Sequence, residues 1–323
     1  MCTAISDICH HHLFGRTLDL ELSYRESVII TPRVFPLRFR HLDTLREHHA
    51  MIGTALLSAG APLYYDAINE KGLAIAALNF PVSAVYHPHR RDRENAASFE
   101  IIPLVLAKCD SVSDAVKLLK NVNITPDSFS DALPASPLHW LIADKSSAVT
   151  VESVSDGLKI YENPFGVMTN EPPFPYHTAN IANYMPLCPS VPENRIFPAA
   201  NISPYSRGMG AIGLPGDFSS TSRFVRAVFA TAHTLCEGED NCISRFFHVM
   251  DTVSQPCGCA LAQDGRPVRT VYTSCADTDR GVYYFTTYGC RRIRAVTLSH
   301  ADLDSSALTV IPMDSEESIK RLN

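Results

Sequence analysis

The sequence contains no apolar run near the ~20 residues that a membrane-crossing helix needs. Its longest apolar stretches, such as Leu73–Leu78, are strand-sized. No basic segment followed by an apolar one opens the chain, so a secretory signal is not expected. Cationic excess is also missing. Lys plus Arg number 28 against 34 Asp plus Glu, a net charge of −6, which gives no reason to expect nucleic acid or an anionic membrane as partner. There is no phosphate loop, and Gly208, Gly210 and Gly213 follow a proline-rich loop rather than a strand, which argues against a nucleotide cofactor. Cys257-Gly258-Cys259 lacks zinc-site spacing. His10-His11-His12 would point in alternate directions on an extended strand, so no metal is expected there.

What the chain does have is bulk. It is 323 residues long, 46% apolar and 19% charged, enough to bury a sizeable core. With no signal, a cytoplasmic location is expected, and its ten cysteines read as free thiols.

Patterning gives the architecture. Cys2–Ile5 and Leu13–Leu18 read as a hairpin, with Asp7–His12 as its turn. Ser27–Thr31, Met51–Leu57, Leu63–Ala67 and Leu73–Leu78 are further strands, the last pair joined by a tight turn at Asn69–Gly72. Phe99–Lys108 and Val112–Val122 carry helical spacing, and Ser111 with Asp114 forms a capping box for the second. Leu138–Ala143, Ala148–Val154 and Leu158–Tyr161 return to strand, with Asp156-Gly157 as a hairpin signal. Prolines at Pro172–Pro175 and Pro186–Pro204 flank a helical Thr178–Tyr184 and mark a long irregular excursion. Ser222–Leu235 and Ile243–Val253 read as helices, and Arg269–Ser274, Gly281–Thr287 and Ile293–Leu298 as a closing meander. Strand blocks joined by hairpins, with helix pairs between them, predict an α+β protein of antiparallel sheets covered by helices.

The chemistry starts at the second residue. The small side chain of Cys2 permits removal of Met1, which would leave a thiol and a free α-amine on one residue. The amine has a pKa near 8 in model compounds and can take the thiol proton, so nucleophile and base are covalently joined. Taken alone, Cys2 reads equally as a strand cysteine of no consequence. Arg16 and Asp19, at the far end of the paired strand, read either as a surface ion pair or as a cation for the thiolate and an anion for the amine.

These residues carry a resemblance. Met1-Cys2-Thr3 and Phe14-Gly15-Arg16-Thr17-Leu18-Asp19 resemble the opening of the choloylglycine hydrolase family, N-terminal-nucleophile hydrolases that include bile salt hydrolases and penicillin V acylases. Asn69-Glu70-Lys71-Gly72-Leu73-Ala74, Leu78-Asn79-Phe80-Pro81, Leu138-His139-Trp140-Leu141-Ile142 and Thr169-Asn170-Glu171-Pro172 are similar to later family blocks in the same order. So are Gly213-Leu214-Pro215-Gly216-Asp217-Phe218-Ser219-Ser220, Ser222-Arg223-Phe224 and Tyr283-Tyr284-Phe285-Thr286-Thr287-Tyr288. Coverage is essentially the whole chain.

The resemblance implies one N-terminal-nucleophile domain over residues 1–323, folded as a four-layer αββα sandwich of two antiparallel sheets, without metal or cofactor. It implies Cys2 as nucleophile with its α-amine as base, Arg16 beside the sulfur and Asp19 holding the amine. Asn170 would offer its side-chain amide to the oxyanion and Asn79 its backbone N–H, while Arg223 completes the charged ring. The implied reaction is hydrolysis of conjugated bile salts, releasing the bile acid and taurine or glycine. Penicillin V and N-acyl homoserine lactones are the alternative substrates on the same scaffold. Asn79 favours bile salts within the family, where penicillin acylases tend to have tyrosine. Ser206-Arg207-Gly208 resembles a triplet that accompanies taurine preference, and a guanidinium can meet a sulfonate bidentately. Arg207 reads equally as a solvated loop residue. Leu20 and Phe80 are candidate substrate contacts, with segments Leu20–Tyr24, Ile52–Pro62 and Ile124–Pro137 as candidate pocket walls. Family members commonly form homotetramers, which makes Pro186–Arg207 the candidate assembly element.

Overall fold

The computed structural model describes residues 1–313 and 315–323. The chain opens with β1 (Cys2–Cys9), β2 (His11–Leu20), β3 (Ser27–Thr31), β4 (Met51–Ser58), β5 (Ala61–Asn69) and β6 (Ala74–Asn79). Next come β7 (Glu94–Ala97), α1 (Ile101–Lys108), α2 (Val112–Leu119) and β8 (Val122–Thr125). β9 (Leu138–Ala143), β10 (Ala148–Val154), β11 (Gly157–Glu162) and β12 (Val167–Met168) follow, then α3 (Phe174–Asn180), α4 (Ser220–His233) and α5 (Cys242–Asp251). The chain closes through β13 (Ala260–Leu261), β14 (Pro267–Asp277), β15 (Val282–Thr287), β16 (Arg294–Thr297) and β17 (Thr309–Pro312).

Among the described residues two large sheets form. One runs β12-β1-β2-β14-β15-β16, with β13 added to β14, and the other runs β11-β10-β9-β6-β5-β4-β3-β17. Every pairing within them is antiparallel. Because strand side chains alternate between faces, each sheet contributes to two cores. Ala4, Phe14 and Leu18 pack with Ile52, Ile68 and Leu78 between the sheets. Ile5 and Leu13, on the opposite face of the first sheet, pack against Phe174, Phe224 and Phe246 of α3, α4 and α5. The outer face of the second sheet, with Met51 and Ile75, packs on α1 and α2. The layers are therefore α, β, β, α, and the expected sandwich is the observed fold.

Local sequence explains the helices. α1 is apolar all round and is buried from Ile101 to Ala107, as a helix enclosed by its neighbours must be. α2 buries only Val112, Ala115 and Leu119, and Ser111 caps it by accepting a bond from the Asp114 N–H.

Several boundaries differ from the sequence reading. The first hairpin does not relax into a loop at residues 7–12. It turns at His10 alone, with φ 58°, and β1 pairs with β2 out to Cys9 and His11. The polar residues can stay in the ladder because they find partners. Asp7 forms an ion pair with Arg245, and buried His12 bonds Ser6 and Thr278. α3 starts at Phe174 rather than Thr178, because Pro173 caps it and a proline occupies its first turn. The parallel pair β7–β8 and the edge strand β17 gave no legible pattern. Free thiols were expected throughout, yet Cys9 and Cys236 form a disulfide across 227 residues, with Cα atoms 6.1 Å apart. The sheet-to-helix packing that brings them together cannot be read from their spacing.

Candidate active site

The register of the first hairpin sorts the candidate residues by face. Cys2 lies opposite Leu18 and Ala4 opposite Arg16, so even-numbered side chains of the hairpin, Cys2 and Arg16 included, face the layer between the sheets. Thr3, Thr17 and Asp19 face the other way, toward α4 and α5. The Cys2 thiol, on β1, and the Asp19 carboxylate, on β2, therefore lie on opposite faces of the hairpin. β14 can approach β2 closely here only because residue 15 is glycine. A Cβ at Gly15 would stand 2.0 Å from the Ser274 carbonyl oxygen, and the close approach lets the Ser274 hydroxyl accept from the Arg16 N–H at 3.1 Å.

Arg16 is buried with its guanidinium fixed. Nε donates to the Thr17 carbonyl at 3.2 Å, and Nη1 donates to the carbonyls of Tyr65, at 3.1 Å, and Ala77. Nη2 is buried and, among the described residues, has no hydrogen-bond partner. Burial opposes the charge, but Cys2, Tyr272, Asp66 and Asp19 outweigh it and hold the pKa above the ordinary arginine value. Arg16 is a permanent cation on the thiol's side of the sheet.

Asp19 is fully buried. Its carboxylate accepts from Thr17 Oγ1 at 3.1 Å, Thr270 Oγ1 at 2.7 Å and Gln255 Nε2 at 3.3 Å. Burial pushes its pKa up, opposed by Arg223, the chain's terminal amine and the two threonine hydroxyls. That amine, on Met1, donates to the Asp19 carbonyl at 2.7 Å, and the Asp19 N–H donates back to Met1 at 2.9 Å.

Asn170 joins the remaining pieces. It lies just beyond β12, which pairs with β1. Its Oδ1 accepts from the Cys2 N–H at 2.7 Å and from Arg223 Nη2 at 2.8 Å, while Nδ2 donates to the Asn79 carbonyl at 2.7 Å. Two donors on one side and an acceptor on the other fix the amide orientation, and one Nδ2 hydrogen remains for another acceptor. Arg223, in the first turns of α4, also donates to the Cys2 carbonyl and to Thr3 Oγ1. Its pKa is lowered by burial, against the pull of Asp19 and Cys2. Cys2, Arg16, Asp19, Asn79, Asn170 and Arg223 thus form one connected, almost dry cluster, in which the Cys2 residue is 2% exposed with Met1 in place.

The substrate-contact candidates do not converge in the same way. Phe80 is fully buried and stacks on His139 with ring centres 4.3 Å apart. Leu20 is half-buried against the inter-sheet core. Arg207 lies on the exposed excursion and, among the described residues, pairs with no carboxylate. Two of the three expected walls do meet. The β4–β5 turn with the start of β5, residues 59–63, and Phe129 line an apolar cleft of about 290 Å³ with Phe35, Phe39 and Phe99. Neither Leu20 nor Cys2 lines it. Ile52 to Ala55, expected within a wall, are buried strand.

Sequence reasoning missed Asp66. It is fully buried and accepts from the hydroxyls of Tyr272, Ser274 and Tyr283. Burial pushes its pKa up, opposed first by Arg16. An aspartate inside the apolar strand Leu63–Ala67 was the available signal.

The cluster combines a thiol that removal of one residue would place beside a free amine, a fixed amide donor and two buried guanidinium groups. That is equipment for nucleophilic attack on a carbonyl carbon. The profile of the linear amide C–N hydrolases of the choloylglycine hydrolase family matches residues 2–311. A bile salt hydrolase/transferase of Lactiplantibacillus plantarum is 45% identical over 324 residues, covering all of both chains. One of Bifidobacterium longum subsp. longum is 36% identical, covering 95% of this chain and 98% of its own. The crystal structure of a conjugated bile acid hydrolase from Clostridium perfringens superposes with a TM-score of 0.93 at 32% identity, covering all of both chains.

Proposed function

The chain belongs to the choloylglycine hydrolase family of linear amide C–N hydrolases, and on that premise we propose that it is a bile salt hydrolase using Cys2 as an N-terminal nucleophile. The observation that carries this reading is the Asn170 side chain, bonded at once to the Cys2 nitrogen, Arg223 and Asn79. It supports placing a tetrahedral oxyanion beside the thiol.

The mechanism follows from what each group can do. Loss of Met1 turns the Cys2 nitrogen into a primary amine, still within reach of Asn170 Oδ1, with Asp19 as the buried anion that holds its protonated form. The amine takes the thiol proton, and Arg16 stabilises the thiolate. Sulfur attacks the amide carbon of the conjugate. The resulting oxyanion is met by the free Nδ2 hydrogen of Asn170 and the backbone N–H of Asn79, donors whose individual removal typically costs about 10²–10³ in rate. The ammonium returns its proton to the leaving nitrogen, and taurine or glycine departs. Water, deprotonated by the same amine, then cleaves the thioester and releases the bile acid. No step calls on a metal or organic cofactor.

We read residues 1–323 as one catalytic domain acting in the cytoplasm as a homotetramer. The exposed Ile196, Phe197, Ile202 and Tyr205 support segment 186–207 as its contact element. The test of the substrate is a comparison of initial rates on taurocholate, glycocholate, penicillin V and an N-acyl homoserine lactone. The bile salts should be the fastest pair; a faster penicillin V or lactone would overturn the assignment.

A further inference from the structure

A second sulfur cluster lies on the opposite face of the first sheet from the Cys2 thiol. The disulfide Cys9–Cys236 has a third cysteine beside it. Cys242 Sγ is 3.4 Å from Cys236 Sγ and donates to the Cys9 carbonyl at 2.7 Å. All three sulfurs lie within 4.8 Å of one another. Cys9 and Cys242 are buried, while Cys236, in the connection between α4 and α5, is half-exposed.

Position gives the third thiol its chemistry. Cys242 is the first residue of α5, where the helix terminus favours an anion. Burial pushes its pKa up, and Arg245 on the next turn works against that. At neutral pH the group is therefore a reserve thiol that ionises as pH rises. Its separation from Cys236 is the distance from which a thiolate attacks a disulfide sulfur, and Cys236 is also the sulfur open to solvent.

We propose that Cys9, Cys236 and Cys242 form a thiol–disulfide exchange site, with Cys236 as the shared sulfur and low-molecular-weight disulfides as its reactant class. Starting from three thiols, an external disulfide RSSR oxidises Cys9 and Cys236, one S–S bond forms, and two RSH molecules leave with the two protons. In the exchange step the Cys242 thiolate, its proton lost to water, attacks Cys236 Sγ. The Cys236–Cys242 bond forms, the Cys9–Cys236 bond breaks, and Cys9 leaves with the electron pair and takes a proton from water. No net oxidant is consumed in this step. The exchange moves a covalent tie from between β1 and the α4–α5 connection to between that connection and the first residue of α5. The corner survives this, because Arg245 still binds Asp7 of β1 and the carbonyls of Thr231 and Thr234.

The experiment equilibrates the full chain with oxidised glutathione at about pH 8.5, where an ordinary thiol is half ionised. The reaction is quenched in acid, free thiols are alkylated, and cross-linked peptides are mapped by mass spectrometry without reduction. In Cys9→Ser the cross-link should move wholly to Cys236–Cys242, while Cys242→Ser should hold only Cys9–Cys236. Thermal melting checks that each variant folds. If Cys9→Ser does not, the wild-type chain decides, by showing a Cys236–Cys242 fraction beside Cys9–Cys236. Cys236 and Cys242 both alkylated in folded Cys9→Ser would overturn the proposal. So would one zinc ion per chain retained by the reduced protein through desalting, because the three thiolates would then be a metal site.

Discussion

Asn170→Ala perturbs catalysis and scaffolding together, and the two losses are read by different measurements. In the structure its side chain satisfies the Cys2 N–H, one Arg223 nitrogen and the Asn79 carbonyl. Alanine removes all three bonds and the hydrogen assigned to the oxyanion. The catalytic loss alone is about 10²–10³ in kcat, or roughly 2.7–4 kcal/mol of transition-state stabilisation. The structural loss is separate. Each buried group left unpaired costs about 1–3 kcal/mol, so three of them amount to roughly 3 kcal/mol at the least, before water enters the cavity. Against a total stability of about 5–15 kcal/mol, the variant folds at 25 °C but melts earlier. The assay is kcat and KM for taurocholate with urea unfolding on the same preparation. Because the interaction belongs to the transition state, kcat should fall while KM changes little. A folded variant that keeps more than a tenth of the wild-type kcat would refute the oxyanion role.

Three further outcomes follow. Iodoacetamide should inactivate the enzyme in step with labelling of Cys2 in peptide maps. Exposed Cys257 and Cys259 should label without loss of activity, and Cys109, pushed up to about 12 by burial, should stay unmodified; inactivation that tracked any of these would refute the nucleophile. Arg207→Ala should lower kcat/KM for taurocholate more than for glycocholate, by roughly tenfold if one charge-assisted contact to the sulfonate is lost, and an unchanged ratio would leave Arg207 a solvated residue. Burial lowers His12 from 6.5 to about 4, so the stability contributed by its neutral form is complete above pH 6.5 and is lost as pH falls toward 4, by about 3 kcal/mol. His12→Gln should flatten that part of the stability–pH curve, and an unchanged slope would show that His12 does not cause it.

The fold was legible wherever pattern and neighbour agreed. The strands of the first hairpin, the apolar run Leu73–Leu78, the capped α2 and the closing meander have apolar residues where the observed cores receive them. What escaped depends on partners far away in sequence. Residues 7–12 look like a turn until Arg245 and Thr278 are seen to satisfy them. Glu94–Ala97 has no apolar alternation and is a strand because Val122–Thr125 lies beside it. The catalytic candidates came from resemblance; the structure bonds Cys2, Asn79, Asn170 and Arg223 directly, and brings Arg16 and Asp19 beside them through Thr17. Asp66 was not legible, because an acid inside an apolar strand becomes intelligible only when Tyr272, Ser274 and Tyr283 surround it. The state of each cysteine also needed the structure, which buries Cys109, Cys242, Cys275 and Cys290, exposes Cys257 and Cys259, and pairs Cys9 with Cys236.

The central claim is that Cys2, freed of Met1, carries the acyl group of a bile salt. Mass spectrometry of the intact chain, before and after rapid acid quenching of a reaction with taurocholate, tests it directly. The resting protein should be lighter than the full sequence by one methionine residue. The quenched protein should carry one choloyl group on the peptide beginning at Cys2, and Cys2→Ser should lack that thioester. A catalytically active chain that retains Met1, or that carries the acyl group on another residue, would contradict the account.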